Sequence, residues 1–252
     1  MTEKTTTKSS KSMSEEDILE LLLKDAPKTD EVELELPSKC LSYKTLNGKT
    51  PTLRPMTFDD EKAMISHKNP NVDPLNALLS RCLNNVSISD LYQADKLYIL
   101  LKLREISYGD DYPVNINCPS CKKESSMNFK LSALRVNYVD DDFSDPVEVT
   151  LPQLGHKVGV RLPRVKDEHY FETTDLALSN LWRFVEYINE FDQKTVISKF
   201  LEKIPLRDAH AILAAISGKQ FGVETQVQFL CPYCNTTSKM EMPITSDFFT
   251  AN

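Results

Sequence analysis

Val114-Asn115-Ile116-Asn117-Cys118-Pro119-Ser120-Cys121 and Val227-Gln228-Phe229-Leu230-Cys231-Pro232-Tyr233-Cys234 share one plan, an extended run that ends in Cys-Pro-x-Cys. A second extended run follows each, Ser126–Leu131 and Ser238–Ile244. Paired short runs either side of a tight turn read as a β-hairpin. Sliding the sequence by 113 positions lays Cys118 on Cys231 and Cys121 on Cys234. The same shift brings Asp95 onto Asp208, Ile99 onto Ile212, Leu100 onto Leu213, Gly109 onto Gly222, Val114 onto Val227 and Met127 onto Met240. No gap is needed from Asp95 to Leu131. A self-match at fixed spacing marks a module used twice. The expected fold is therefore α+β: an internally duplicated module of short strands, helices and a β-hairpin knuckle.

Working outward, the N-terminal residues 1–13 are polar and read as disordered. Ser14-Glu15-Glu16-Asp17 opens a helix carrying Ile18, Leu19, Leu21, Leu22 and Leu23, which stops before Pro27. This amphipathic segment is either a helix docked on its own domain or one that fits a partner's groove. Residues 1–31 form that tail and helix, 32–142 the first module and 143–252 the second. In the first module, extended runs at Val32–Leu36 and Thr52–Pro55 flank a turn at Asn47-Gly48. Helices follow from Thr57, over Asp73–Leu83, and from Ser89 or Asp95 to Gly109. In the second, strands are expected at Val147–Thr150, Val158–Leu162 and Thr225–Leu230. Helices are expected over Leu176–Phe191, Gln193–Ile204 and Asp208–Ser217, the last stopping at Gly218. Pro163 precedes an acidic helix start, Asp167-Glu168, as Pro55 precedes Asp59-Asp60.

Four soft thiolates in two C-x-x-C pairs suit one tetrahedral zinc ion. Cys118, Cys121, Cys231 and Cys234 are the expected ligands, joined at a pseudo-twofold axis as a zinc-ribbon-like site. Proline after the first cysteine preorganises each turn, and N–H groups inside the knuckle can donate to the sulfurs. Such a site leaves no position for water, so the zinc is expected to be structural. The 109 residues between Cys121 and Cys231 do not forbid it, because loop closure costs grow only logarithmically. Cys40 and Cys82 stand alone and read as buried apolar residues or idle thiols.

Two other chemistries compete. Cys-Pro-Tyr-Cys is also a disulfide-oxidoreductase tetrapeptide, but there a helix follows the first cysteine and lowers its pKa. Here Asn235–Met242 alternates like a strand. Zinc ribbons also serve as nucleic-acid-associated regulators, yet the net charge is −7, without clustered arginines. Six glycines leave no phosphate-cradling loop of Walker or dinucleotide type. His67, His156, His169 and His210 lack metal spacing, and helix N-terminal charge accounts for Asp59, Asp60, Glu61, Asp167 and Glu168. No enzyme and no small-molecule substrate emerge. No apolar run reaches the roughly 20 residues of a membrane span. Met1–Ser12 has no apolar core of a secretory signal, and the cysteine usage fits a reducing compartment.

Several motifs carry a family resemblance. Leu36-Pro37-Ser38-Lys39, then Leu53-Arg54-Pro55-Met56-Thr57 leading into Asp60-Glu61, then Asp95-Lys96-Leu97-Tyr98 with Arg104-Glu105-Ile106-Ser107-Tyr108-Gly109, and finally Cys118-Pro119-Ser120-Cys121 come in one order. Together they resemble the baseplate hub subunits and hub assembly proteins of T-even-type contractile-tailed bacteriophages, over residues 33–135 and more loosely in the second half. Cys40 stands where that family's pattern expects glycine, which implies a different local turn. The resemblance implies a non-enzymatic late protein that helps build the hub in the host cytoplasm, with hub and tail proteins as partners and a possible place in the virion. The Ile18–Leu23 helix and an aromatic helix, Trp182–Phe191, are the candidate contact surfaces.

Overall fold

A computed structural model describes residues 14–24, 31–43, 46, 48–67, 73–217, 221–242, 244 and 246–249. The readings at residues 1–13, Pro27, Asn47, Gly218 and Pro243 lie outside these. Two compact units are present, Met1–Asp30 and Glu31–Asn252. In the first, helix α1 (Glu15–Leu23) begins with a reciprocal cap. Ser14 Oγ accepts from the Asp17 N–H at 3.1 Å, and the Asp17 carboxylate accepts from the Ser14 N–H at 3.1 Å. None of its residues is buried.

The second unit starts with β1 (Val32–Glu33) and β2 (Thr52–Leu53), followed by α2 (Phe58–Ile65), α3 (Pro74–Cys82) and β3 (Leu83–Asn84). The three strands form an antiparallel sheet in the order β1-β2-β3. Helix α4 (Gln93–Tyr108) ends at Gly109, whose φ of 93° suits a residue without Cβ. Then come β4 (Asp111–Asn117) and β5 (Glu124–Lys130), a hairpin, and β6 (Val136–Asn137). A second antiparallel sheet has the order β7 (Val147–Thr150), β8 (Lys157–Val160), β9 (Val185–Ile188), with α5 (Thr174–Ser179) between the last two. Helices α6 (Lys194–Leu201) and α7 (Leu206–Ser217) lead to β10 (Gly222–Val223), which pairs with β6. The hairpin of β11 (Gln226–Leu230) and β12 (Thr237–Glu241) closes the order. The fold is a mixture of helices and short antiparallel strands.

The expected helix over Leu176–Phe191 is a correction. The chain is helical only at Thr174–Ser179, takes a 3-10 turn at Leu181–Phe184 and then becomes β9. Consequently Trp182–Phe191 is not a helical contact surface. Its aromatics occur at a spacing that fits either period, and the β-branched Val185 and Ile188 are buried on one face of a strand. Tyr187 pairs with Gly159 on β8, and a Cβ at position 159 would lie 2.2 Å from the Tyr187 ring. The glycine therefore lets the ring cross the neighbouring strand.

Two ion pairs fix the starts of the helical segments. Asp60, fully buried, is the third residue of α2, and Asp167 occupies the same place in the 3-10 segment Val165–Phe171. Arg54 meets Asp60 in a fork at 2.7 and 3.1 Å, and the Thr57 N–H donates to Asp60 at 2.9 Å. Arg161 meets Asp167 at 2.7 and 3.0 Å, and the Arg164 N–H donates to Asp167 at 2.9 Å. Just before each fork the chain makes one ladder bond, Arg54 N–H to Cys82 C=O at 3.0 Å and Arg161 N–H to Phe184 C=O at 2.8 Å.

Three hydrophobic clusters fill the unit. The largest centres on α4, with Leu36, Leu53, Leu79, Ile99 and Leu103, and also takes in Leu162, Val165, Phe221, Phe248 and Phe249 from the second half. Another lies between the β7-β8-β9 sheet and α6 and α7, with Val158, Val160, Phe184, Ile197 and Ile212. The smallest lies between the two hairpins.

The Arg54 hydrogen bonds hold Asp60 well below the usual carboxylate range. For Asp167 burial pushes upward, but Arg161 and the Arg164 N–H outweigh it, so this carboxyl is also lowered. A lowered folded-state pKa contributes stability above the unfolded value, about 4, that is lost as pH falls toward the folded one. Asp60→Asn should cost about 3 kcal/mol at pH 7 and flatten the loss of stability below about pH 4. Urea unfolding at a series of pH values measures both effects.

Candidate metal centre

Each hairpin presents an inward row and ends in a knuckle. In the first, Val114, Ile116 and Cys118 lie on one side with Met127 and Phe129; in the second, Phe229 and Cys231 lie with Met240. The ladders match pair for pair at a shift of 113 positions. Val114 opposes Met127 as Val227 opposes Met240, and Ile116 opposes Ser125 as Phe229 opposes Ser238. The turns match as well. The Cys118 N–H donates to Lys123 C=O at 3.0 Å and the Lys122 N–H to Cys118 C=O at 2.9 Å. The Cys231 N–H donates to Thr236 C=O at 3.1 Å and the Asn235 N–H to Cys231 C=O at 3.0 Å. Lys122 and Asn235, each following the second cysteine, take φ values of 61° and 54°.

The packed rows bring the four knuckle cysteines together. Their Sγ atoms all lie within 4.8 Å of one another. Cys118 Sγ is 3.7 Å from Cys234 Sγ, and Cys121 Sγ is 3.7 Å from Cys231 Sγ. These two contacts exchange when the hairpins are exchanged, as a local twofold axis requires. Sulfurs at the corners of a tetrahedron with bonds of about 2.3 Å are about 3.8 Å apart, so the four thiols fit one four-coordinate ion. Cys118 and Cys231 are fully buried, whereas Cys121 and Cys234 are half-buried at the rim. Among the described residues this is the one cluster of His, Cys, Asp or Glu side chains with metal-holding geometry.

Local donors favour thiolates at two positions. The Cys121 N–H, followed by that of Ser120, lowers the Cys118 thiol. The Thr236 hydroxyl, 3.4 Å from Cys234 Sγ, brings that thiol down to about 6. At Cys121 the Lys123 N–H pulls downward, but burial and the three neighbouring thiols prevail and push it up to about 11. Two lowered groups beside one raised group express the repulsion among four potential anions, which a dication relieves. Lys123 also reaches across the site, its Nζ 5.0 Å from the Tyr233 ring centroid on the other knuckle.

The other motif residues have structural places. Asp95, fully buried, accepts from Ser38 N–H at 3.0 Å, Ser38 Oγ at 2.5 Å and the Tyr43 hydroxyl. Burial pushes its carboxyl upward against these donors. Asp208, also fully buried, accepts from the N–H groups of Gln153 at 2.7 Å and Leu154 at 3.1 Å. Ser38 and Gln153 both follow a Leu-Pro pair, at 36–37 and 151–152, a correspondence that the 113-residue shift conceals. Cys40, which stands in place of an expected glycine, has a φ of 59°, in the left-handed region that glycine favours. Arg104 donates to Phe248 C=O and stacks on Tyr108, Tyr112 and Phe248, while the Tyr108 hydroxyl donates to Phe249 C=O at 2.8 Å. These residues seat the last described segment.

A lysine in the left-handed region is strained, whereas asparagine tolerates it. Lys122→Gly is therefore expected to stabilise the chain by about 0.5–1 kcal/mol, and Asn235→Gly to change it little. Denaturant midpoints of the two variants test this difference.

No curated protein sequence and no solved structure matches the chain. The family model described as T4 bacteriophage base plate protein matches residues 41–250, a span that contains all four cysteines and both aspartate forks. The chain belongs to the T4 bacteriophage base plate protein family.

Proposed function

We propose that this chain is a non-enzymatic structural or assembly protein of the phage baseplate hub, in which one zinc ion clamps two copies of an α+β module. The observation that carries the reading is the meeting of the four thiols between two hairpins of identical register. Cys118, Cys121, Cys231 and Cys234 would hold the ion. Four thiolates suit zinc and fill its coordination, so the site supplies attachment and no open position for a substrate or water. The modules are 32–142 and 143–252, preceded by a tail and helix over 1–31. The matched knuckle turns, the twin Arg–Asp forks and the two buried aspartates after Leu-Pro turns support the duplication.

The partners are other hub and tail proteins. Helix α1 supports this role, since Ile18, Leu19, Leu21, Leu22 and Leu23 are all exposed. The work is placed in the host cytoplasm during assembly. No described helix is long and apolar enough to cross a membrane.

Metal analysis of protein purified under reducing conditions should give close to one zinc per chain, lost in Cys118→Ser and in Cys231→Ser. Two zinc ions per chain would overturn the shared site, and iron in place of zinc would overturn the choice of metal. Capture of the tagged chain from infected cells should recover other baseplate and tail proteins. Salt-sensitive binding to DNA or RNA with no tail protein recovered would instead point to a nucleic-acid-associated regulator.

A further inference from the structure

The contact that joins the two halves near α4 has no counterpart among the described residues, although both of its counterpart surfaces exist. In the contact, Val165 N–H donates to Leu91 C=O at 2.9 Å, and Arg164 pairs with Tyr92 in an antiparallel bridge. Lys166 Nζ lies 3.3 Å from Asp90 Oδ1. Val165 is only 7% exposed as a result. The two forks make Asp60 equivalent to Asp167, so Phe58 and Asp59 stand where Val165 and Lys166 stand. The 113-residue shift that superposes Asp95 on Asp208 puts Lys203 in the place of Asp90, Ile204 in that of Leu91, Pro205 in that of Tyr92 and Leu206 in that of Gln93, whose side-chain amide donates to Arg164 C=O at 3.4 Å in the contact.

Ile204 is half-buried in its own cluster, but each counterpart surface leaves one large apolar side chain open among the described residues. Phe58 is 79% and Leu206 72% exposed, the two most exposed large apolar side chains among the described residues of Glu31–Asn252. Large apolar groups so exposed at equivalent positions of a contact mark a place for a partner. The charges are complementary and inverted. Where Lys166 faces Asp90 within the chain, the open surfaces offer Asp59, three-quarters exposed and paired on its own chain with Arg81 at 2.6 Å, and Lys203, also exposed. One surface is thus the complement of the other.

We propose that the occupant is a second copy of this chain: the Lys203–Leu206 corner of one copy seats on the start of α2 in the next. Leu206 packs on Phe58, and Lys203 faces Asp59. The two surfaces differ, so the contact is head-to-tail and builds a ring or an open chain of copies according to whether its rotation closes. The inference rests on the duplication proposed above, which supplies the equivalences, and is independent of which metal the cysteines hold.

Sedimentation velocity of the full, metal-loaded chain from about 1 to about 100 μM tests it. Wild type should associate with rising concentration, and Phe58→Asp and Leu206→Asp should each weaken association at least about tenfold. Each variant keeps one intact surface, so an equimolar mixture should recover a one-to-one pair that grows no further. Zinc content near one per chain in both variants separates this result from any failure of the metal site. A wild type that stays monomeric throughout, variants that associate like wild type, or a mixture that does not pair would overturn the proposal.

Discussion

A carboxylate removed from water must be met by donors, and four buried aspartates impose that constraint on this chain. Asp60, Asp95, Asp167 and Asp208 are almost wholly inaccessible, and each lies in the first turn of a helical segment. Left unmet, a buried charge of this kind costs several kcal/mol. Arg54 and Arg161 meet two of them and tie the end of a strand to the segment that follows. Backbone N–H groups after Leu-Pro turns meet the other two and tie a distant loop to α4 or α7. The strands are short, two residues in β1, β2 and β3, and strand pairing alone would hold them poorly. The aspartates supply the missing long-range fixing.

The hairpins depend on this framework. Each is a two-stranded ribbon, marginal by itself, whose inward row packs against the other's. The cysteines then lie at the ends of the rows, where the same register in both ribbons brings the sulfurs to a common centre. A long loop between ligand pairs is tolerable here because the packing of α4 on β10 and the pairing of β10 with β6 already hold the ribbons near each other, so the ion need not close that loop unaided. The sulfur pairs at 3.7 Å span the two ribbons, and a metal bound among them adds its affinity directly to the stability of the joined form.

The hairpins and their cysteines were legible in the sequence because no insertion interrupts residues 95–131 when they are laid on the second half. Upstream the spacing drifts. The forks are 107 residues apart, as are Gly48 and Gly155, both at positive φ, while the residues after Leu-Pro that meet the buried aspartates are 115 apart. A constant shift cannot align such points. The Ser38–Asp95 contact was hidden for another reason: the two residues belong to separate motifs, and nothing in either reports that they touch across 57 positions. Strand β9 was misread because Phe184, Tyr187 and Phe191 satisfy a helical spacing, and Val185 and Ile188, three apart, oppose the buried Val160 and Val158 only because the pairing with β8 is bulged. Periodicity does not separate the two in so short a run. The cross-strand space left by Gly159 decides it, and that is visible only once β8 is in place.

What differs between equivalent positions is as informative as what agrees. Phe58 and Val165 follow the same kind of turn, beside the same kind of fork, yet one is open and the other covered. The local sequence does not cause this, since both positions are apolar and both precede a buried aspartate by two residues. The difference comes from the neighbour, because Leu91 and Tyr92 lie against Val165 and, among the described residues, no equivalent stretch lies against Phe58. A closed twofold would make that contact twice, and here it is made once. On the proposed duplication, the symmetry that serves the cysteine centre is thus broken a short way along the chain, leaving two unlike apolar surfaces. Unlike surfaces of complementary charge are the means by which a protein in a larger assembly can be joined in one direction rather than in a closed pair.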